Sequence, residues 1–311
     1  MRVLPAAGHE PFGIDIKESP FTDRVGSITD RRFVGSCLRE AEAVVHAATL
    51  HKPHVATHSR QEFVDTNISG TLNLLEEACA AGIRAFVFTS TTSAFGHALV
   101  PPAGAPAAWI TEDVVPVPKN IYGITKVAAE DLCELFHRRF RLPCLILRTS
   151  RFFPEPDDHR ETRERYADLN AKANEFLFRR VDVADIVDAH LLALDKAAAI
   201  GFRRYIISAT TPFTPVDLAE LRTNAPAVVS RRVPRYREVY EARGWSIFPA
   251  IDRVYVNERA RRELGWRPQY DFSRVLESIE TNGTAGSPLA QAIGAKGYHA
   301  AAFAEGPYPV E

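Results

Sequence analysis

Tyr122-Gly123-Ile124-Thr125-Lys126 follows a polar, proline-spotted loop, Thr111 to Asn120, and opens a segment in which Val127, Leu132, Leu135 and Phe136 recur on one helical face. Residues four apart stand one helical turn apart, so the phenol of Tyr122 and the ammonium of Lys126 point the same way. A phenol ordinarily ionises at about pH 10, and a neighbouring cation favours the phenolate. The pair therefore reads as a proton-transfer device, in which Tyr122 takes a proton from an alcohol while hydride leaves the carbon. Tyr-x-x-x-Lys also occurs on helices by chance, so the surrounding sequence has to decide.

Upstream, Ala85-Phe-Val-Phe-Thr-Ser-Thr-Thr-Ser93 begins as a buried strand and ends in a run of hydroxyls. The apolar part suits a parallel strand covered on both faces, and the hydroxyls fall at its carboxyl end, where open α/β sheets bind their ligands. Ala43-Val-Val-His-Ala-Ala48 and Pro143-Cys-Leu-Ile-Leu-Arg-Thr149 read as further strands. Arg31 to Glu42 and Asn67 to Ala81 read as helices, the second with Ile68, Leu72, Leu75 and Cys79 as its apolar stripe and Gly82 as its stop. Alternation of this kind predicts a doubly wound parallel α/β sheet with a smaller second lobe.

The ordered set Phe88-Thr-Ser-Thr-Thr-Ser-Ala-Phe-Gly96, Ile110-Thr-Glu-Asp113 and Tyr122-Gly-x-x-Lys126 resembles the extended short-chain dehydrogenase/reductase family. Its best-known members are NAD-dependent nucleotide-sugar epimerases and dehydratases such as UDP-glucose 4-epimerase. The resemblance runs from about Gly8 to Tyr270. It implies a Rossmann-type domain, NAD as cofactor, and Tyr122 as general base and acid. Lys126 is implied to tune Tyr122 and bind the nicotinamide ribose, Thr91 to hydrogen-bond the reacting hydroxyl, and Asn67 to hold the site near Lys126. The implied cofactor-contacting positions are Asp15, Ile16, Ser27, Ile28, Ala47, Ala48, Thr49 and Thr89, together with Tyr122 and Lys126. Asp15 ends a strand read over Pro11 to Asp15; a carboxylate there accepts ribose hydroxyls and repels a 2′-phosphate, favouring NAD over NADP. Ser27 stands where the family usually has Asp.

Substrate contacts are expected from Thr91, Thr92, Arg151 and Arg253. Arg151 replaces a family Asn on the loop after the 143–149 strand, and an arginine there can grip phosphate or carboxylate. The family's diphosphate-holding arginine has no counterpart in Ser246-Ile-Phe-Pro249, and Arg253 is the nearest substitute. The expected activity is that of a nucleotide-sugar epimerase acting by transient hydride transfer. The rivals are an oxidoreductase of a non-nucleotide hydroxyl or carbonyl substrate, and a catalytically impaired dinucleotide-binding protein. Thr91-Thr92-Ser93 lacks the acidic pair of the dehydratases.

Composition narrows the field. The 311-residue chain carries 38 basic and 39 acidic side chains, with no basic run to attract nucleic acid and no apolar run that would span a membrane. Cys37, Cys79, Cys133 and Cys144 have no metal spacing and read as reduced thiols of a cytoplasmic protein. His51, His54 and His58 have no acidic or thiol partner nearby, so no metal is expected and a loop lining the substrate or facing solvent is the simpler reading. The organisation expected is an NAD-binding domain over 1–160, returning strands and a substrate lobe over 161–280, and a loosely packed tail over 281–311, with a homodimer compatible with it.

The family's first strand, Gly-x-x-Gly-x-x-Gly turn and helix would precede Asp15, and Met1 to Gly8 supplies only a stub of them. The glycines let backbone approach the pyrophosphate and the helix start offers free N–H groups, so weak NAD binding is expected. Calorimetry checks this by comparing the chain with one carrying a grafted glycine-rich unit. The graft should tighten binding, and equal micromolar affinity for both would overturn the expectation.

Overall fold

The structure is a computed structural model describing residues 1–294 together with His299 and Phe303. Contacts divide the chain into two compact units. The first comprises Met1–Ala94, Pro118–Arg148 and Val187–Tyr205, and the second comprises Phe95–Val117, Thr149–Ile186 and the chain from Ile206 onward. The lobes are thus interleaved along the sequence rather than divided near residue 160. The tail expected over 281–311 lies mostly outside the described residues; its described part includes a short helix at Pro288–Ile293.

The strands are β1 (Ile14–Asp15), β2 (Arg24–Val25), β3 (Ala43–His46), β4 (Ala85–Thr91), β5 (Ala108–Ile110), β6 (Cys144–Thr149), β7 (Phe202–Ile207) and β8 (Arg253–Tyr255). A four-stranded sheet runs in the order β3-β4-β6-β7, with β3 and β4 parallel from Ala43 beside Ala85 to His46 beside Phe88. Every residue of β6 is buried, which accounts for its unbroken apolar run. In the second unit β5 pairs in parallel with β8. The strand read over Pro11 to Asp15 is only two residues long and pairs with β2 in a separate two-stranded sheet. Met1–Leu4 forms no strand; Pro5–Ala7 is a single 3-10 turn closed by Gly8 at φ +84°.

The principal helices are α1 (Arg31–Leu38), α2 (Gly70–Ala80), α3 (Ile121–Phe140), α4 (Asp168–Phe176), α5 (Val183–Ile200) and α6 (Phe272–Asn282). Asp30 caps α1 by accepting from the Phe33 amide at 3.1 Å, leaving Val34 and Leu38 to pack with Leu74, Leu75, Phe86 and Ile146 in the first unit's core. The helix leading to α2 begins earlier than the periodicity predicts, at Arg60 behind a Ser59–Glu62 capping box. It passes through a π turn, Val64–Ser69, before becoming α2. Asn67 therefore sits inside a π turn and is no cap. A methyl added at Gly70 would lie 2.6 Å from the Ile28 side chain, so this helix approaches residue 28 closely enough to require glycine. The second unit packs Phe176, Val228, Tyr240, Val254, Leu276 and Ile279 together. Asp185 secures its closing segment, accepting from the amides of Gln269 and Tyr270 at 2.7 and 3.0 Å through its carboxylate and from Trp266 Nε1 at 2.9 Å through its carbonyl.

α3 ends on Arg141 at φ +60°, the only non-glycine with positive φ among the described residues. The left-handed C-terminal position favours glycine, and a side chain there costs about 1 kcal/mol or more. Arg141→Gly is expected to raise stability by about 0.5–1 kcal/mol, seen as a higher urea midpoint at unchanged m-value. A lower midpoint would show that the arginine side chain contributes more than its backbone costs.

Candidate active site

The site is assembled in the first unit from the end of β4, the first turns of α3, the π turn and the loop after β3. Asn120 caps α3 by accepting from the Gly123 amide at 3.2 Å, which fixes the register of the first turn. That turn points Tyr122 and Lys126 inward, 2% exposed each. Thr91 is the side chain that acts on the Tyr122 hydroxyl, and its own hydroxyl accepts from the Ser93 amide at 3.0 Å. Lys126 Nζ donates to the Thr89 carbonyl at 2.7 Å and sits 4.0 Å from the centre of the Phe88 ring.

Burial controls the ionisation of both groups. It pushes the Tyr122 hydroxyl above the usual phenol value, and Thr91 only partly opposes it. It also lowers Lys126 to about 7, against the pull of Glu130 one turn on. The tuning expected from sequence, a full cation depressing the phenol, is not the arrangement here: the ammonium is turned to the Thr89 carbonyl. Lowering the phenol requires further positive charge or hydrogen bonds at its oxygen.

Asn67 joins three segments. Its Oδ1 accepts from the Leu50 amide at 2.7 Å and lies 3.0 Å from Thr49 Oγ1. Its Nδ2 donates to the Leu50 carbonyl and to Thr125 Oγ1, both at 3.0 Å. Thr89 offers its carbonyl to Lys126 and its hydroxyl to His190 Nε2 at 2.9 Å. Thr92 is buried beside Thr91. Behind α3, Glu130 receives Arg148 Nη2 at 2.6 Å, Arg204 Nε at 3.1 Å and the Ser90 hydroxyl at 2.6 Å.

One neighbour, His190, escaped the sequence reading: it lies 101 residues from Thr89, a separation that no local pattern bridges. His51 lies against Tyr122, with ring centres 4.9 Å apart, and burial together with Lys126 lowers it to about 3, leaving it neutral at pH 7. His54 accepts from the His51 amide through Nδ1 at 2.8 Å and its ring meets that of His58 edge-on, so these histidines serve the loop's own structure.

The expected dinucleotide positions are distributed differently. Ala47 and Ala48 follow β3 as exposed small residues, and Asp15 is exposed with Oδ1 accepting from the Lys17 amide at 2.9 Å. Small residues open to close approach, an exposed carboxylate and the Lys126 ammonium suit a dinucleotide. Ile16 is exposed, Ser27 Oγ lies 2.8 Å from Thr29 Oγ1, and Ile28 is buried in the core against Gly70.

In the second unit, Arg151 Nη1 meets Asp158 at 2.6 Å and Asp157 at 3.7 Å, and its Nε lies 3.7 Å from Glu175. Its Nη2 donates to the Pro156 carbonyl at 3.1 Å. The carboxylates of Asp157, Asp158 and Glu175 thus saturate the arginine expected to grip substrate. Burial opposes ionisation of Glu175 most strongly, yet Arg179, Arg151 and Arg180 hold it at about 2. Arg253 Nε is buried with no hydrogen-bond partner among the described residues.

Residues 1–207 match the NAD dependent epimerase/dehydratase family. The chain belongs to that family. Its cofactor is accordingly NAD, and the fold is the Rossmann-type one. The chain is 26% identical to a UDP-glucose 4-epimerase of Rhizobium meliloti, over 88% of this chain and 90% of that protein. It is 32% identical to the low-salt glycan biosynthesis protein Agl12 of Haloferax volcanii, over 81% and 79% of the two chains. Among solved structures, a short-chain dehydrogenase/reductase superfamily protein from Agrobacterium tumefaciens with bound NAD superposes with TM-score 0.63 at 21% identity, covering 90% of this chain and 91% of that one. The UDP-glucose 4-epimerase of Thermotoga maritima with UDP-glucose gives 0.59 at 21%, over 89% and 91%. No helix among the described residues is long and apolar enough to cross a membrane.

The depressed Lys126 gives a pH signature. An unfolded lysine titrates at about 10.4, while the folded one titrates at about 7. Between those values the unfolded chain holds a proton that the folded chain lacks, so stability rises with pH across that window and levels off outside it. The difference is ~3–5 kcal/mol at full extent. Lys126→Met is expected to remove this slope from urea-unfolding stabilities measured between the two pH values. Parallel pH profiles for parent and variant would refute it.

Proposed function

We propose that this family member is a nucleotide-sugar epimerase of the UDP-glucose 4-epimerase kind, with Tyr122 as its proton-transfer residue. The observation that carries the reading is that Tyr122 and Lys126 are buried together one turn apart on α3, with Thr91, also buried, acting on the Tyr122 hydroxyl. The UDP-glucose 4-epimerases among the relatives support it. When bound, NAD supplies the hydride acceptor and, on return, the donor. The chain's own part is to move a proton and hold geometry. Tyr122 takes the proton of the reacting sugar hydroxyl, Thr91 holds the same oxygen, and Lys126 turns from the Thr89 carbonyl to the nicotinamide ribose. That movement puts its positive charge to use beside the phenol. Epimerisation returns the hydride to the other face of the transient keto sugar, so Tyr122 returns its proton and no net oxidation results.

A second reading, net oxidation of a substrate without a diphosphate, is favoured by one observation. Arg151 is saturated by carboxylates of its own chain, and Ser246–Pro249 holds no arginine. Arg253 is then the remaining anion ligand expected from sequence.

One experiment separates the two. The protein is given NAD with UDP-glucose, UDP-galactose or the corresponding free sugars and sugar acids, and products and absorbance at the NADH band are followed. Epimerisation yields the partner nucleotide-sugar without accumulating NADH, whereas net oxidation accumulates NADH in step with product. Tyr122→Phe should cut either rate by about 10² to 10⁴ while leaving the fold intact. Near-parental turnover by that variant would sink the role given to Tyr122.

A further inference from the structure

A chain of hydrogen bonds runs from the end of β3 to the first turn of α3, and its direction is fixed by counting protons. The Thr71 hydroxyl lies 2.8 Å from His46 Nε2 and 2.7 Å from the Asn67 carbonyl. A hydroxyl has one proton. The carbonyl can only accept, so that proton goes to Asn67 and Thr71 Oγ1 accepts from His46. The opposite choice would leave His46 Nδ1–H as a buried donor with no acceptor, because Nδ1 has no partner among the described residues. An orphaned N–H costs more than an under-used acceptor. The same count applies further on: Thr125 donates its proton to the Tyr122 carbonyl at 3.0 Å and therefore accepts from Asn67 Nδ2 at 3.0 Å.

The donors line up in two linked runs: His46 to Thr71 and Thr71 to the Asn67 backbone carbonyl, then the Asn67 side-chain amide to Thr125 and Thr125 to the backbone carbonyl of Tyr122. His46, Asn67, Thr71 and Thr125 are all buried, with exposures of 3, 2, 0 and 0%, so water offers no substitute at any of these side chains. Within each run the shared hydroxyl, Thr71 in the first and Thr125 in the second, lets its two bonds polarise one another in a low-dielectric interior, and Asn67 joins the runs mechanically. The chain also explains the π turn. A threonine hydroxyl bonded to the carbonyl four residues back distorts a helix, and here that carbonyl belongs to Asn67, whose displaced side chain reaches Leu50 and Thr125 together.

We propose that His46 and Thr71, which lie outside the candidate catalytic set, are positioning residues that hold the Asn67 π turn and, through Thr125, the backbone of Tyr122. Neutral imidazole is the form the chain needs, and burial, aided by Lys126, keeps His46 at about 3. The effect on turnover rests on the catalytic role proposed for Tyr122; the structural coupling does not.

The test is therefore split. In one arm, amide hydrogen exchange of the peptide containing Tyr122–Lys126 is compared among the parent, Thr71→Val and Thr71→Ser. Valine keeps the shape and removes the hydroxyl; serine keeps the hydroxyl. Faster exchange at that peptide in Thr71→Val, with protection restored in Thr71→Ser, is expected. In the other arm, Thr71→Val should lower kcat about 10- to 100-fold with KM changed less than about twofold, and Thr71→Ser should recover most of it. A protein with no turnover on nucleotide-sugars would defeat the functional reading while leaving the exchange arm to decide this one. Nitrogen NMR of His46 in the parent covers the case in which Thr71→Val does not fold: a proton on Nε2 is expected. A proton on Nδ1, or unchanged exchange and unchanged kcat in Thr71→Val, would overturn the proposal.

Discussion

A lysine ammonium cannot be left in a protein interior without acceptors, and Lys126 is 2% exposed. Much of the first unit answers that constraint. The ladder between β3 and β4 ends at the His46–Phe88 pair, and the Thr89 carbonyl just beyond it accepts from Lys126. Phe88 presents a ring face to the same cation. Glu130 lies one turn further along α3, and its charge is held in place by Arg148, Arg204 and Ser90. Leaving Glu130 without its arginines would strand a buried carboxylate, a loss of about 3–5 kcal/mol.

The legible part of this architecture was the part written in local spacing. Tyr122 and Lys126 are four apart, β4 and β6 are unbroken apolar runs, and Ser and Thr cluster at the end of β4. Those patterns decided the fold and the centre of the site. The π turn was illegible because it has no composition of its own. The stripe of Ile68, Leu72, Leu75 and Cys79 fits an α-helix, and the bonds that accompany the bulge, from Thr71 to Asn67 and to a histidine from another element, have no local signature. Ile28, one of the implied cofactor-contacting positions, is instead buried in the core against Gly70.

Arg151 shows a second limit. Its position on the loop after β6 was readable, but not what satisfies it. Asp157 and Asp158 are near in sequence, and nothing in their spacing says that they fold back on the guanidinium, while Glu175 arrives from α4. Charged side chains choose partners by tertiary geometry, which sequence spacing leaves open. The reading of Tyr122 met the same limit: helix geometry placed a cation near the phenol, but only the fold shows that its proton-rich end turns to the Thr89 carbonyl.

The interleaving of the two units has a consequence for how such a protein can change. The chain passes from one unit to the other at five points, after Ala94, Val117, Arg148, Ile186 and Tyr205. No single crossover between genes can exchange one lobe while keeping the other, because no cut places the whole of one lobe on one side and the whole of the other on the opposite side. New specificity therefore has to accumulate as substitutions and loop insertions in place, within segments such as Phe95–Val117 that return to the first unit at both ends. The units share an inheritance even where their chemistry differs.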